Sequence, residues 1–572
     1  VDPAAGDRFI HRTPKSLSLT ITGVCSLPSD DLRLMAALLL VWVCCQGSPA
    51  ASTAPPAAAE PIDRQAVVGR HRVRFASPRP VVGEPGYCTP KADETAFNQL
   101  TVGNGDFAFT ADLTGLQSLN ASYGSTADRA FPALTMASWG WHTPDPKRVD
   151  PTMPSLWRAD GSLNLTYQHV RIVSLDDRPG HGNRTIPYLV NCTGHNDPRL
   201  CHYWYNFPVR TSLGQLAFAT AQPLANWDRA VHTAPLRLET IRNSTQDLDL
   251  YTGVLSSNFS VGEHRVRVTT VADDRSTDSV ALRFTSPTAL ALTVKLTFCA
   301  PGTVPIGTHT VGNTTYPGNG GNQACDWLQP DESHTTSQVS VGDSASGSRL
   351  DLARKLDFDE YSVSCVASSG SWVRTGPHAF ALSLPGSSAA AEQDERTVSV
   401  SCRFALGCCV GTALPKTPTW LSEQPVPAFG EAFARSVASA RSFWEHGAFI
   451  DLAGNTSDPR AHELERLVVQ SMSLLRTMET GAAPPQEAGL LFNSWSGKHH
   501  QEMRMWHQAW LPVWGRPELL DRSWEWFLQN LPNATSEARR QGYPGARFHK
   551  MVRRCPIAAQ RPPSFPRPSG HP

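Results

Sequence analysis

Between Trp495 and Lys550 the chain gathers Lys498, His499, His500, Glu502, Trp506, His507, Trp510 and Trp514, residue types that together suit recognition of a sugar. Tryptophan offers a sugar ring a flat apolar platform, while a carboxylate and an ammonium group hold its hydroxyls through paired, charge-assisted hydrogen bonds. The spacing predicts a helix around His499 to Leu511. On it, and with Lys498 just before it, Lys498, Glu502 and Trp506 recur every four residues, adjoined by Met503, His507 and Trp510. The same residues have a plainer reading. Trp506, Trp510, Trp514, Trp524 and Trp526 would be core aromatics and Lys498 with Glu502 a surface ion pair, because aromatic stripes at helical spacing commonly face a core. His500, Glu502 and His507 also fall within two turns, but the order is not H-E-x-x-H and no further His or Cys cluster completes a tetrahedron, so no metal is expected.

Other catalytic signatures are missing or misplaced. Gly103-x-Gly105-x-x-Ala108 loosely matches a dinucleotide loop, but it leads into strand-like Phe107 to Leu113 rather than a helix and reads as a turn. No G-x-S-x-G elbow and no Walker A sequence occurs, and no cofactor is expected. Lys plus Arg and Asp plus Glu both number 51, so no net charge draws the chain to nucleic acid or to an anionic membrane; a neutral partner is expected.

The elements that must position these residues fall into two regimes. From about Val67 to Pro415, alternation with period two recurs: Val266, Val268 and Thr270; Val280, Leu282 and Phe284; Leu292, Val294, Leu296 and Phe298; Phe380, Leu382 and Leu384; Val398, Val400 and Cys402. Many strands separated by turn residues, with no long helix between them, predict an antiparallel sandwich. Beyond Pro427 the period becomes helical, through Phe429, Phe433, Val437, Ala440 and Trp444, then Leu464, Leu467, Val468, Met472, Leu475 and Met478. Asp458-Pro459 is a strong helix start, since aspartate caps free amides and proline suits the first helical position. A last helix is expected from Pro517 to Asn530, breaking near Pro532.

The apolar run Met35 to Cys45 falls short of the roughly 20 residues of a membrane span and meets small residues at Ser48 to Ala50, as a signal peptide cut near Ala50 would. Sequons at Asn120, Asn164, Asn183, Asn191, Asn243, Asn258, Asn313, Asn455 and Asn533 agree with a secretory route and an extracellular location. Nine cysteines downstream of the leader and before the tail then read as disulfides with one odd thiol, Cys192 to Cys201 being one short loop that could close. The expected organisation is an upstream segment and signal peptide over 1–50, a linker over 51–66, a β-domain over 67–420, a linker helix over 421–457, a helical domain over 458–552, and a disordered proline-rich tail over 553–572.

Certain strings point to a family. Asn493-Ser-Trp-Ser-Gly-Lys-His-His-Gln-Glu-Met-Arg-Met-Trp-His507, Trp514-Gly-Arg-Pro-Glu-Leu-Leu520 and Gly542-Tyr-Pro-Gly-Ala-Arg547 resemble the six-hairpin glycosidases related to glycoside hydrolase family 65. Pro484-Pro-Gln-Glu-Ala-Gly489, Leu100-Thr-Val-Gly-Asn-Gly-Asp106 and Ser138-Trp-Gly-Trp-His142 extend the likeness, which spans about Val73 to Val552. The resemblance implies an N-terminal antiparallel β-super-sandwich, a linker helix and the first part of an (α/α)6 six-hairpin barrel. It implies a secreted enzyme acting on glucosides, α-linked and with inversion, and a substrate-binding set of Trp495, Lys498, Glu502, Trp506, His507 and Arg547. Glu502 takes the place of the family's sugar-binding aspartate. Arg504 departs from the family acid, and His549-Lys550 replace its Pro-Trp end. The family's general acid is expected beyond the end of this chain, so this chain by itself is expected to be inactive. The alternative is a secreted, non-catalytic carbohydrate-binding sandwich.

Overall fold

The computed structural model describes residues 61–76, 99–119, 133–149, 172–174, 185–187, 203, 207–221, 233–274, 277–300, 308–311, 314–317, 324–325, 333–344, 347–357, 359–384, 394–407, 425–454, 456–493, 497–540 and 542–552. The segments expected as leader and tail, Cys192, Cys201, Trp495 and most of the sequons lie outside them. Among those described, Asn243 and Asn533 are exposed and Asn258 is half-buried.

Alternating strands build two large antiparallel sheets. The nine-stranded sheet runs in the order Val73–Ala76, Ile241–Asp249, Val254–Val261, His264–Ala272, Ser279–Pro287, Glu395–Leu406, Asp359–Ala367, Gly347–Leu356 and Thr335–Ser344. The five-stranded sheet runs Thr233–Pro235, Gln215–Ala221, Leu292–Thr297, Ala379–Ser383 and Ser371–Gly376. Register keeps the apolar sets together: Val280, Leu282 and Phe284 face Cys402, Val400 and Val398 across the central pair of the larger sheet. Since side chains alternate faces along a strand, that pairing puts all six on one surface. The sheets meet face to face, with Phe218 of the smaller lying edge-on to Phe284 of the larger at 5.2 Å. Cys365 and Cys402, cross-strand partners in this core, form one disulfide, and Cys299 with Cys325 forms another.

A third sheet, Leu100–Gly103, Phe107–Ala111 and Thr135–Ala137, carries the turn Asn104–Asp106 toward the helices. These are α1 (Arg64–Arg70), α2 (Pro146–Val149), α3 (Phe429–Glu445), α4 (Pro459–Glu479), α5 (Arg504–Gln508), α6 (Trp510–Val513), α7 (Pro517–Asp521) and α8 (Trp524–Arg540). α1 starts inside the segment expected as linker, with Asp63 capping Ala66 N. Its Arg64 donates to the carbonyls of Trp444 and Gly447, which ties the start of the fold to the end of α3. α3 packs Phe429 and Ala432 against Val271 and Ala281, on the opposite face of the large sheet from Val280, Leu282 and the inter-sheet core. Among the described residues no helix is long and apolar enough to cross a membrane.

Three expectations are corrected. First, the interval expected as a helix from His499 is extended at its start: His499–His500 pairs with Met551–Val552 on one side, and His500 N donates to Pro485 O on the other. Gly497, at φ 68°, turns the chain into that strand, and a Cβ there would lie 2.6 Å from Gln486 Oε1 and 2.7 Å from Arg210 Cγ. Second, α8 runs through Pro532 instead of breaking. The carbonyl left without its helical donor is that of Leu528, a residue 60% exposed, so it lies on the solvent side of the helix. Third, α4 does not bury the whole expected stripe. Leu464 and Leu467 are 53% and 60% exposed, while Glu465, Val469, Met472, Arg476 and Glu479 face inward.

Candidate functional site

The inward polar face of α4 meets a seam built from strings far apart in sequence. The Asn104–Asp106 turn docks on the end of α4, where Gly105 N donates to Thr477 O. Gly105 has φ 94°, and a Cβ there would lie 2.5 Å from Thr480 Oγ1, so this turn requires glycine. The Asp106 carboxylate accepts from Ser138 Oγ at 3.0 Å, from Ala482 N at 2.7 Å and from Arg522 at 2.6 Å. One side chain thus joins the third sheet, the loop after α4 and the residue following α7.

Arg210 crosses the same seam, fully buried. It donates to Gly497 O, Ala137 O and Ser138 O, and its guanidinium stacks 4.3 Å over Trp141. Burial pushes it down to about 9, with the charge of Asp106 opposing. His499 lies between Trp141 and Trp526, edge-on to both at 5.5 and 5.6 Å. Its Nδ1–H donates to Pro484 O at 2.5 Å, so the same nitrogen cannot accept from Arg210 Nη2, 3.3 Å away. Burial, then the Arg210 charge, hold His499 down at about 3, the Pro484 carbonyl opposing, and the ring is neutral at physiological pH.

Beside it His500 is also buried and held down at about 4, first by burial and then by Lys550, while Glu502 opposes and His507 and Lys498 add to the lowering. Lys498, Glu502 and His507 thus act on His500 through a strand, and do not share one helical stripe. Lys498 is buried. Glu502 is half-exposed and pairs with Lys550, Oε1 to Nζ 2.8 Å, not with Lys498. Trp506 is 75% exposed, its indole open to solvent. Arg547 is half-buried against α8, where its N–H donates to Ala534 O, and Phe548 beside it packs 5.0 Å from Phe527. Of the aromatics that had a core reading, Trp526 is buried, Trp524 is 51% exposed, and Trp510 and Trp514 pack partly buried against the main core.

The sequence reading missed Glu479. At the end of α4 its Oε2 stands 3.7 Å from His507 Nδ1, too far for a hydrogen bond, and neither atom finds a partner among the described residues. Burial raises Glu479 to about 8 and lowers His507, against the pull of the Glu487 carbonyl. At neutral pH the two meet as a protonated acid and a neutral imidazole, not as an ion pair. In sequence Glu479 is one more charge near a helix end; the clue was its place three residues after Arg476 on a face that also carries Met472. A small hollow with room for about one water lies between Arg210, Ser138, Glu479 and Gln486. Among the described residues no group of three or more His, Cys, Asp or Glu is arranged to hold a metal ion.

No known protein family matches the chain, and no curated protein does. Among solved structures it is similar to one assigned as a kojibiose phosphorylase from the human microbiome, at 11% identity and a TM-score of 0.48 over 84% of this chain and 52% of that one. It is also similar to a family GH92 α-mannosidase from Bacteroides thetaiotaomicron, at 9% identity and a TM-score of 0.19 over 47% of this chain and 33% of that one. The chain spans about half the length of the first and a third of the second. Neither likeness bears on substrate or mechanism.

Proposed function

We propose that the chain is a secreted carbohydrate-active protein of the six-hairpin glycosidase type, and that it holds a glucoside on the surface formed by Trp506, Glu502 and Lys550. The observation that supports this reading is the indole of Trp506, 75% exposed, four residues beyond a carboxylate already paired with an ammonium group. The open indole offers a flat apolar face, and a sugar ring is a partner that such a face and a charged pair satisfy together. Lys498 and His507 act behind that surface, around the buried imidazole of His500, and Trp495 and Arg547 complete the set implied by the resemblance. In this reading Glu502 binds sugar. Hydrolysis with inversion needs an acid and a base on opposite sides of the ring, and neither role is assigned to it.

The test is the affinity of the full chain for maltose, kojibiose and nigerose by calorimetry, beside release of glucose from each. Trp506→Ala and Glu502→Ala should each weaken binding about tenfold or more while thermal stability stays within about 0.5 kcal/mol, the usual range for exposed positions. Unchanged affinity in both variants refutes the surface. Glucose release refutes the expectation of inactivity; binding without release favours the non-catalytic reading.

A further inference from the structure

We propose that Asn243 is an acceptor for an N-linked glycan, carried on a bulge of the large sheet. The inference rests on the secreted reading and adds to it the particular side chain that is modified.

The sequon Asn243-Ser244-Thr245 falls where the pairing of Ile241–Asp249 with Val254–Val261 slips. Arg242 lies opposite Ser260 and Thr245 opposite Asn258, so Asn243 and Ser244 together stand against Phe259. Asn243 is left-handed, at φ 49°, and exposed, and its amide makes no hydrogen bond among the described residues. Its surroundings are open. Arg242 turns back to donate to Glu239 O at 2.5 Å and Ile241 O at 2.9 Å, and the edge strand Val73–Ala76 pairs with Thr245 to Leu248, short of the bulge.

A left-handed backbone accounts for an asparagine, which tolerates it better than most residues. It does not account for the hydroxyl two positions on. Thr245 is exposed, and its hydroxyl also bonds to nothing among the described residues, so the sheet makes no use of it. An acceptor amide and a sequon hydroxyl are thus both present without a structural task. The sequon at Asn258 is placed differently. Asn258 is half-buried between Thr245 and Arg267 on the adjacent strands, and its central residue Phe259 is committed to the core.

The modification precedes folding, so the fold's part is to accept the product. In the transfer, the Asn243 amide nitrogen bonds to the anomeric carbon of an oligosaccharide carried on a lipid pyrophosphate. The bond from that carbon to the pyrophosphate oxygen breaks, the lipid pyrophosphate leaves, and the amide gives up one proton.

The experiment expresses the full chain in a eukaryotic secretory pathway, once with its own N-terminal segment and once behind a foreign signal peptide. Peptide mass spectrometry after amidase release in heavy-oxygen water marks each former carrier as a labelled aspartate. Behind the foreign leader most copies should be labelled at position 243. Asn243→Gly keeps the left-handed backbone, and Thr245→Val keeps a β-branched strand residue; each should remove one glycan from the intact mass, while Thr245→Ser should retain it. An unlabelled Asn243 behind the foreign leader overturns the inference, whatever the other sequons carry. So does a label at position 243 that survives Thr245→Val, which would mark simple deamidation. A label at Asn243 behind the foreign leader, in a chain that stays in the cytosol with its own N-terminal segment, supports the acceptor and refutes secretion.

Discussion

Glu479 offers a direct check on the polar seam through the pH dependence of stability. Burial raises its carboxyl from 4.5 to about 8, a displacement of 8 − 4.5, or about 3.5 units. At roughly 1.36 kcal/mol per unit this is about 5 kcal/mol between the two protonation states, an upper figure for one site. Because the folded value lies above the unfolded one, the favourable contribution is fully present below about pH 4.5 and is lost as pH rises toward about 8. His499 and His500 act in the opposite sense. Their folded values, about 3 and about 4, lie below 6.5, so their contribution is present above 6.5 and lost as pH falls. A bare pH profile would mix these opposing slopes, but the difference between the native protein and Glu479→Gln cancels the histidines. Across the window from about pH 5.5 to about pH 7.5 the glutamine variant should gain on the native protein by about 3 kcal/mol, close to one proton's slope over two pH units. Urea unfolding followed by tryptophan fluorescence at four pH values measures it. Parallel profiles would mean that Glu479 titrates as an ordinary surface carboxylate and that the dry pairing with His507 is wrong.

Two further substitutions probe buried charges, Arg210 in the seam and Glu465 on α4. Arg210→Met would leave the carbonyls of Gly497, Ala137 and Ser138 without their donor and should cost about 3 kcal/mol or more; because Arg210 helps hold His499 down, the His499 ring should also titrate at higher pH by NMR, and an unmoved titration would refute the contact. Burial alone would raise Glu465, but the amides of Ala453 and Leu452, with His71 and Arg70, overcome it and hold the carboxyl at about 2, so its contribution is present above 4.5 and lost as pH falls toward 2. Glu465→Gln should therefore be destabilised by about 3 kcal/mol at pH 7, with a gap that narrows in acid; a gap constant between about pH 3 and 7 would refute it.

The sheets were legible because their alternation is a local signal. Val280, Leu282 and Phe284 alternate in sequence, and the register that pairs them with Cys402, Val400 and Val398 follows from keeping one face dry. The start of α4 was legible for the same reason: Asp458 accepts from Arg460 N, as an aspartate before proline at a helix start should. What failed depended on residues distant in sequence. The buried side of α4 is polar because Glu465 meets His71, 394 residues earlier, and no periodicity within 459–479 carries that fact. His499–His500 is a strand because Met551–Val552 and Pro485 take its backbone groups; the local sequence, rich in good helix formers after Gln501, argues otherwise. Gly497, at φ 68°, turns the chain into that strand, but a glycine before Lys498 is equally compatible with a helix start, so it did not tell the two apart in sequence.

The seam also explains why a buried arginine can sit where the two regimes of the chain meet. Among the described residues Arg210 makes no hydrogen bond to a carboxylate; its donors end on three carbonyls, and the opposing charge that acts on it is that of Asp106, which itself holds Arg522, Ser138 and Ala482. Neutral carbonyls satisfy geometry but only partly offset the cost of removing a charge from water. The remainder falls on the neighbours: His499 must stay neutral beside it, and the Trp141 ring must lie under it. A histidine and a tryptophan so constrained serve poorly as sugar ligands themselves. They serve well as a rigid wall, while the Trp506 indole, 75% exposed, keeps an open face.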